Sequence, residues 1–105
     1  MNDYPTKEEL KKIREWPVII NVPDFNKFMD FVHGIWHYVF GYWQQEGNIY
    51  HISTAGWSGN EDIIAAMQDN FVLWSMYWCQ SQRGGHYIFA PCEDWITKSD
   101  NASEA

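Results

Sequence analysis

The chain has 105 residues, a formal charge of −7 and 46% hydrophobic residues, with 7 Trp, 6 Tyr and 6 Phe. That length is one domain, and that aromatic content excludes a disordered chain. The acidic balance opposes nonspecific nucleic-acid binding, which depends on neutralising several phosphates with Lys and Arg, and every apolar run is broken well short of a membrane span.

Met1-Asn2-Asp3-Tyr4-Pro5 has no basic-then-apolar leader pattern, so a cytoplasmic location is expected, with Cys79 and Cys92 as reduced thiols. Thr6 followed by Glu9 is a capping box, and Leu10 and Ile13 give a short amphipathic helix over 6–15. Lys7, Lys11, Lys12 and Arg14 share that segment with Glu8, Glu9 and Glu15, which makes a mixed-charge surface rather than a basic patch. Pro17 ends the helix, and Val18-Ile19-Ile20 reads as a short extended stretch.

Pro23-Asp24 opens the longest element. Phe25, Phe28, Met29, Val32, Ile35, Trp36, Val39, Phe40 and Trp43 recur at three- and four-residue steps, which predicts a helix over 24–43. Tyr38, Tyr42 and Phe31 fall on a second side, beside Gly34 and Gly41, where another element would approach closely. A helix apolar on more than one side predicts a homodimer or a partner-binding surface.

Gln44 to Gly47 reads as a turn, and the alternation in 48–54 predicts a strand. A helix over 60–69 follows, carrying Ile63, Ile64 and Met67 on one side. Residues 71–80 are rich in aromatic and β-branched side chains and read as a buried strand. Met67, Phe71, Trp74 and Trp78 also keep helical spacing, so a continued helix is the rival. Gly84-Gly85 signals a two-residue hairpin, with 86–89 as the returning strand and Pro91 as its end.

These elements predict a small α+β domain over 1–96, with 1–16 as its charged N-terminal helix and 97–105 as a polar tail. The long helix packs on a three-stranded mixed sheet with one β-α-β crossover and a C-terminal hairpin. A helix packed back along its sheet makes the strands on either side of it run parallel. The ends of the 48–54 and 71–80 strands then lie at one edge of the sheet, and two glycine-punctuated polar turns meet there.

Those turns carry the candidate site: Trp57, Ser58, Gly59 and Asn60 from one, and Arg83, Gly84, Gly85 and His86 from the other. Arg83 is the only cation between Lys27 and Lys98. A helix N-terminus offers free N–H groups and partial positive charge, Arg83 a planar donor fork, His86 a titratable group and Trp57 a stacking face. Together they suit an anionic small molecule. Each turn also has a bland reading. Ser58 with Glu61 is a capping box that only starts a helix, and Arg83-Gly84-Gly85-His86 is only a tight hairpin. Glu61 and Asp62 in the first helical turn oppose an anion, unless Glu61 is consumed by its cap.

Gly56-Trp57-Ser58-Gly59-Asn60-Glu61, the aromatic run around Trp74 and Trp78, and Arg83-Gly84-Gly85-His86-Tyr87 resemble a family of small phage- and prophage-encoded proteins. The resemblance covers roughly residues 17–90. It implies a phage accessory protein acting in the cytoplasm of the host bacterium. Such proteins often counter host defences, by binding an immune nucleotide signal or by blocking a host defence protein. Both are expected here as non-catalytic activities without a cofactor, and the second would use the aromatic and acidic surface. A small hydrolase using His86 with Glu61 or Asp62 ranks last, because no nucleophile or metal cluster accompanies them.

Asp30, His33 and His37 share one face of the predicted long helix, and a His-x-x-x-His pair is a possible metal site. The further ligands it needs (His51, His86, Cys79, Cys92) have no metal spacing, and a solvent-facing polar stripe is the preferred reading. With a turn at Gly84-Gly85, Cys79 lies diagonal to Cys92 at about 7–8 Å, too far for a disulfide without movement.

Overall fold

The computed structural model describes residues 4–37 and 42–97. The first helix, α1 (Lys7–Arg14), starts at the expected capping box. Thr6 Oγ1 accepts from the Glu9 N–H at 3.1 Å, and Glu9 Oε1 accepts from the Thr6 N–H at 2.8 Å. Lys11, Lys12 and Arg14 then occupy the last turn, where cations complement the helix dipole.

Helix α2 (Val22–Ile35) is capped by Asn21, whose side chain accepts from the Asp24 N–H at 2.8 Å. Its stripe of Phe25, Phe28, Met29 and Val32 is fully buried, as the spacing requires. The expected helix over 24–43 is corrected at its C-terminal end. Trp36 turns to extended backbone, and the side chain of Asn60 holds His37 by reciprocal bonds, 2.9 Å from its N–H and 3.1 Å to its carbonyl. A backbone clamped in that way cannot continue a helix. Residues 38–41, with Tyr38 and Gly41, lie outside the described residues. Gly34 has open space where a Cβ would sit, so it marks no close approach.

The chain continues as β1 (Tyr42–Glu46), where the end of the long helix and a turn at 44–47 were expected. Trp43 still faces the core, opposite Ile52, because one position can serve a helical and an alternating pattern. Gly47, at φ 60°, opens the two-residue turn into β2 (Ile49–Ser53). Helix α3 (Ser58–Asp69) and helix α4 (Phe71–Tyr77) then lead to β3 (Trp78–Gln82), β4 (His86–Phe89) and a last short helix, α5, over 92–97.

The 71–80 segment is therefore neither one strand nor one helix. Asn70 separates α4 from α3: its amide donates to the carbonyls of Ile13 and Trp16 at 3.0 and 3.2 Å, and its oxygen caps α4 by accepting from the Leu73 N–H. The sheet runs β1-β2-β4-β3, with every neighbouring pair antiparallel. This corrects the expected three-stranded mixed sheet, for two reasons. One strand was hidden in helical spacing, and the hairpin's returning strand inserts between the two crossover strands. Those strands, β2 and β3, do run parallel to each other, separated by β4.

One face of the sheet carries Tyr50, Ile52 and Phe89 into the helices, where Phe25 stacks on Tyr77 at 4.4 Å and meets Tyr50 edge-on at 5.6 Å. Each such side chain contributes roughly 1.5–3 kcal/mol by burial. On the other face, Ile49, Ile88 and Ala90 pack against Trp95 of α5 and against Cys79. A polar chain fastens that end: Asp94 accepts from Asn48, Asn48 from Asn26, and Asn26 from the Tyr50 hydroxyl. No helix among the described residues is long and apolar enough to cross a membrane.

Replacing Asn70 with Ala strands two carbonyls and one helix cap at the junction of α1, α3 and α4. A loss of roughly 1–3 kcal/mol is expected, read as a lower midpoint in denaturant with an unchanged slope.

Candidate functional site at the end of the sheet

Thr54 ties the two polar turns together. It is 1% exposed, and its N–H donates to the Gly85 carbonyl at 3.0 Å. Its hydroxyl accepts from the Gly56 N–H at 3.1 Å and donates to Glu61 Oε2 at 3.4 Å. Beside it, Ser53 Oγ accepts from the Ala55 N–H at 3.3 Å and donates to the Gly84 carbonyl at 3.4 Å. Residues 53 and 54 thus join Gly84 and Gly85, and the Thr54 hydroxyl also bonds the start of the 56–59 turn.

Glycine is required at the meeting point. Gly84 and Gly85 have φ of 84° and 74°, and a Cβ on Gly85 would run into the Thr54 hydroxyl. The loop has three residues, 83–85, because Gln82 pairs with His86. This replaces the expected two-residue turn at Gly84-Gly85.

The side chains from the two turns take different directions. Trp57 folds back over its own helix, against the Cα of Gly59, and packs on Tyr4 at 4.9 Å and His37 at 4.8 Å. Ser58 is not the cap; Trp57 is, and no side chain caps this helix. The Ser58 hydroxyl instead meets the Tyr4 hydroxyl at 2.7 Å. Asn60 is fully buried, with its amide committed to His37, and Gly59 is buried beneath Trp57. The expected Ser58–Glu61 capping box is thus corrected, and Glu61 bonds Thr54 instead.

His86 belongs to a different cluster. It lies on the sheet face away from the helices, with ring centroids 6.1 Å from both Tyr42 and His51. Cross-strand register aligns Tyr42, Ser53, His86 and Gln82 in one row across all four strands. Exposed Arg83 follows directly, at the rim. Ser53 and Gln82 were not singled out from the sequence, and Tyr42 and His51 only as part of a helical face and as a possible metal ligand. The signal that could have found them is the Tyr50-Ile52 against His51-Ser53 alternation, extended to a partner strand at 42–46.

His33 stacks on Trp43 at 4.7 Å, whereas His37 lies beyond the end of α2, so the two do not form a helical pair. No group of three or more His, Cys, Asp or Glu placed to hold a metal occurs among the described residues. Burial pushes the Cys79 thiol up to about 11, with the nearby Cys92 adding to the effect, while Cys92 itself is exposed. Both cysteines are free thiols.

Comparison of the chain with protein-family models, with curated proteins and with solved structures returns no match to any of the three.

Gly84→Ala should cost roughly 1–3 kcal/mol, the usual strain of a non-glycine residue at positive φ. Gly85→Ala should cost more, because it also displaces Thr54; melting temperatures of the two variants check the order. Iodoacetamide at pH about 8 should modify Cys92 and spare Cys79, whose thiolate is scarce far below its raised pKa, as mass mapping of the alkylated peptides will show.

Proposed function

We propose that this chain is a non-catalytic, phage-encoded accessory domain. It captures a phosphate-bearing small molecule, of the class used as immune nucleotide signals, at the end of the sheet in the host cytoplasm. The observation that carries the reading is exposed Arg83 at the rim of the row Tyr42–Ser53–His86–Gln82. A guanidinium offers a fork matched to phosphate, and the tyrosine and histidine rings beside it offer faces for a base. The rigid Thr54 knot fixes Arg83 at its root, which reduces the ordering cost of binding.

From the first turn, the Trp57 N–H supports this role by donating to the Thr54 carbonyl at 3.0 Å, while Ser58 and Asn60 bond to Tyr4 and His37. Hydrolysis would need His86 within reach of Glu61 or Asp62. His86 instead keeps company with Tyr42 and His51, and Glu61 with Thr54. A second reading, an inhibitor that docks on a host defence protein, is favoured by exposed apolar side chains elsewhere: Ile20 is 82%, Met76 44% and Trp78 40% exposed.

The expected homodimer loses its helical argument. Phe31 is covered by Trp16 and by Lys12, whose ammonium lies 4.6 Å from the ring, and Tyr42 belongs to the sheet.

Thermal shift against a nucleotide panel identifies the ligand class. Arg83→Ala should then weaken binding by roughly 1.5–3 kcal/mol, about tenfold or more, and Arg83→Lys should restore only part of it. Folding should change little, since Arg83 is exposed at a hairpin tip. Full binding and full biological activity in a folded Arg83→Ala protein would refute the reading.

A further inference from the structure

Away from the Arg83 row, a groove of about 580 Å³ runs between residues 20–22, the α4–β3 junction and the start of α5. Its apolar lining includes Ile20, Val22, Met76, Trp78, Pro91 and Trp95. Apolar side chains of that kind normally belong to the core, yet Ile20, Met76 and Trp78 are among the exposed large side chains of the molecule. The strand beside it, β3, is an outer strand of the sheet. Its sequence, Trp78-Cys79-Gln80-Ser81-Gln82, carries neither charge nor proline, the usual devices that blunt an edge. Trp78 and Cys79 line the groove at the strand's irregularity, and from Gln80 onward, beyond the groove, its pairing to β4 is regular.

Charge identifies what fits there. The groove's ionisable rim is acidic, with exposed Glu93 beside Asp94, and among the described residues its lining holds no Lys, Arg or His. Asp94 already accepts a bond from Asn48, so Glu93 is the carboxylate open to a partner. A second copy of this chain, at net −7, would bring further negative charge to that rim.

We propose that this groove is a docking site for an extended segment of another protein. The segment adds along the open edge of β3, sets alternate apolar side chains against Ile20, Met76 and Trp78, and places a Lys or Arg opposite Glu93. Strand addition supplies affinity through the open backbone groups of β3, and the apolar and acidic lining supplies selectivity. This surface is independent of ligand capture at Arg83, and it gives the inhibitor reading a location and a partner chemistry.

The test is selection of a random peptide library on the intact chain. Enriched peptides should alternate apolar residues and carry Lys or Arg at one end. Met76→Asp should weaken them at least about tenfold, since it sets a charge where an apolar side chain is to be buried. Arg83→Ala should leave them unchanged. The exposed Glu93→Lys variant should reverse the charge preference toward acidic peptides, a readout that unfolding cannot mimic. No enrichment, or enriched pools that are the same on the chain and on its Met76→Asp and Glu93→Lys variants, would overturn the proposal. So would a doubled solution mass abolished by Ile20→Asp, which would make the occupant a second copy.

Discussion

Everything at the candidate site depends on one buried hydroxyl. Thr54 closes β2, starts the turn into α3, and bonds through its backbone to the tip of the β3–β4 hairpin. A side chain without an acceptor and donor on the same atom would lose the bond to the Gly56 N–H or to the Glu61 carboxylate. Gly85 answers Thr54 by having no Cβ. The two residues are complementary: one brings a hydroxyl into a space that exists because the other brings nothing.

Much of this was legible in the chain. Local chemistry with a short reach read correctly: the Thr6–Glu9 box, the buried stripe from Phe25 to Val32, and the returning strand at 86–89. The failures share a cause. Trp36 to Trp43 keeps a helical step, but Asn60, distant in sequence, seizes the His37 backbone and ends the helix. Asn70 likewise separates α3 from α4 by bonding to carbonyls near the end of α1. Both are buried or half-buried asparagines whose partners are far away in sequence. Periodicity cannot register a hydrogen bond made across the core.

The site was legible to the same degree. The meeting of two turns followed from topology, whereas the direction of each side chain did not. Trp57 and His86 start from adjacent pieces of backbone, yet the first packs toward Tyr4 and His37 and the second joins Tyr42 and His51 on the far face. Alternation within a strand decides that division, and it could be read only once β1 was recognised as a strand. A supposed single pocket becomes a rigid hinge-like anchor on one side and a polar row on the other.

The strand order has a bearing on how the molecule assembles. The central position beside both β2 and β3 is filled by β4, the last strand in the chain. The β1–β2 hairpin closes locally, but β3 has no partner until residues 86–89 have been made and inserted. During synthesis, α4 and the bare edge of β3 therefore wait with Trp74 lacking its β4 partners Tyr87 and Phe89, a state open to wrong pairing. The three-residue loop at 83–85 shortens that wait, since it delivers β4 to β3 through contacts of small sequence separation. The glycines that shape the 83–85 loop thus also set the pace at which the sheet becomes whole.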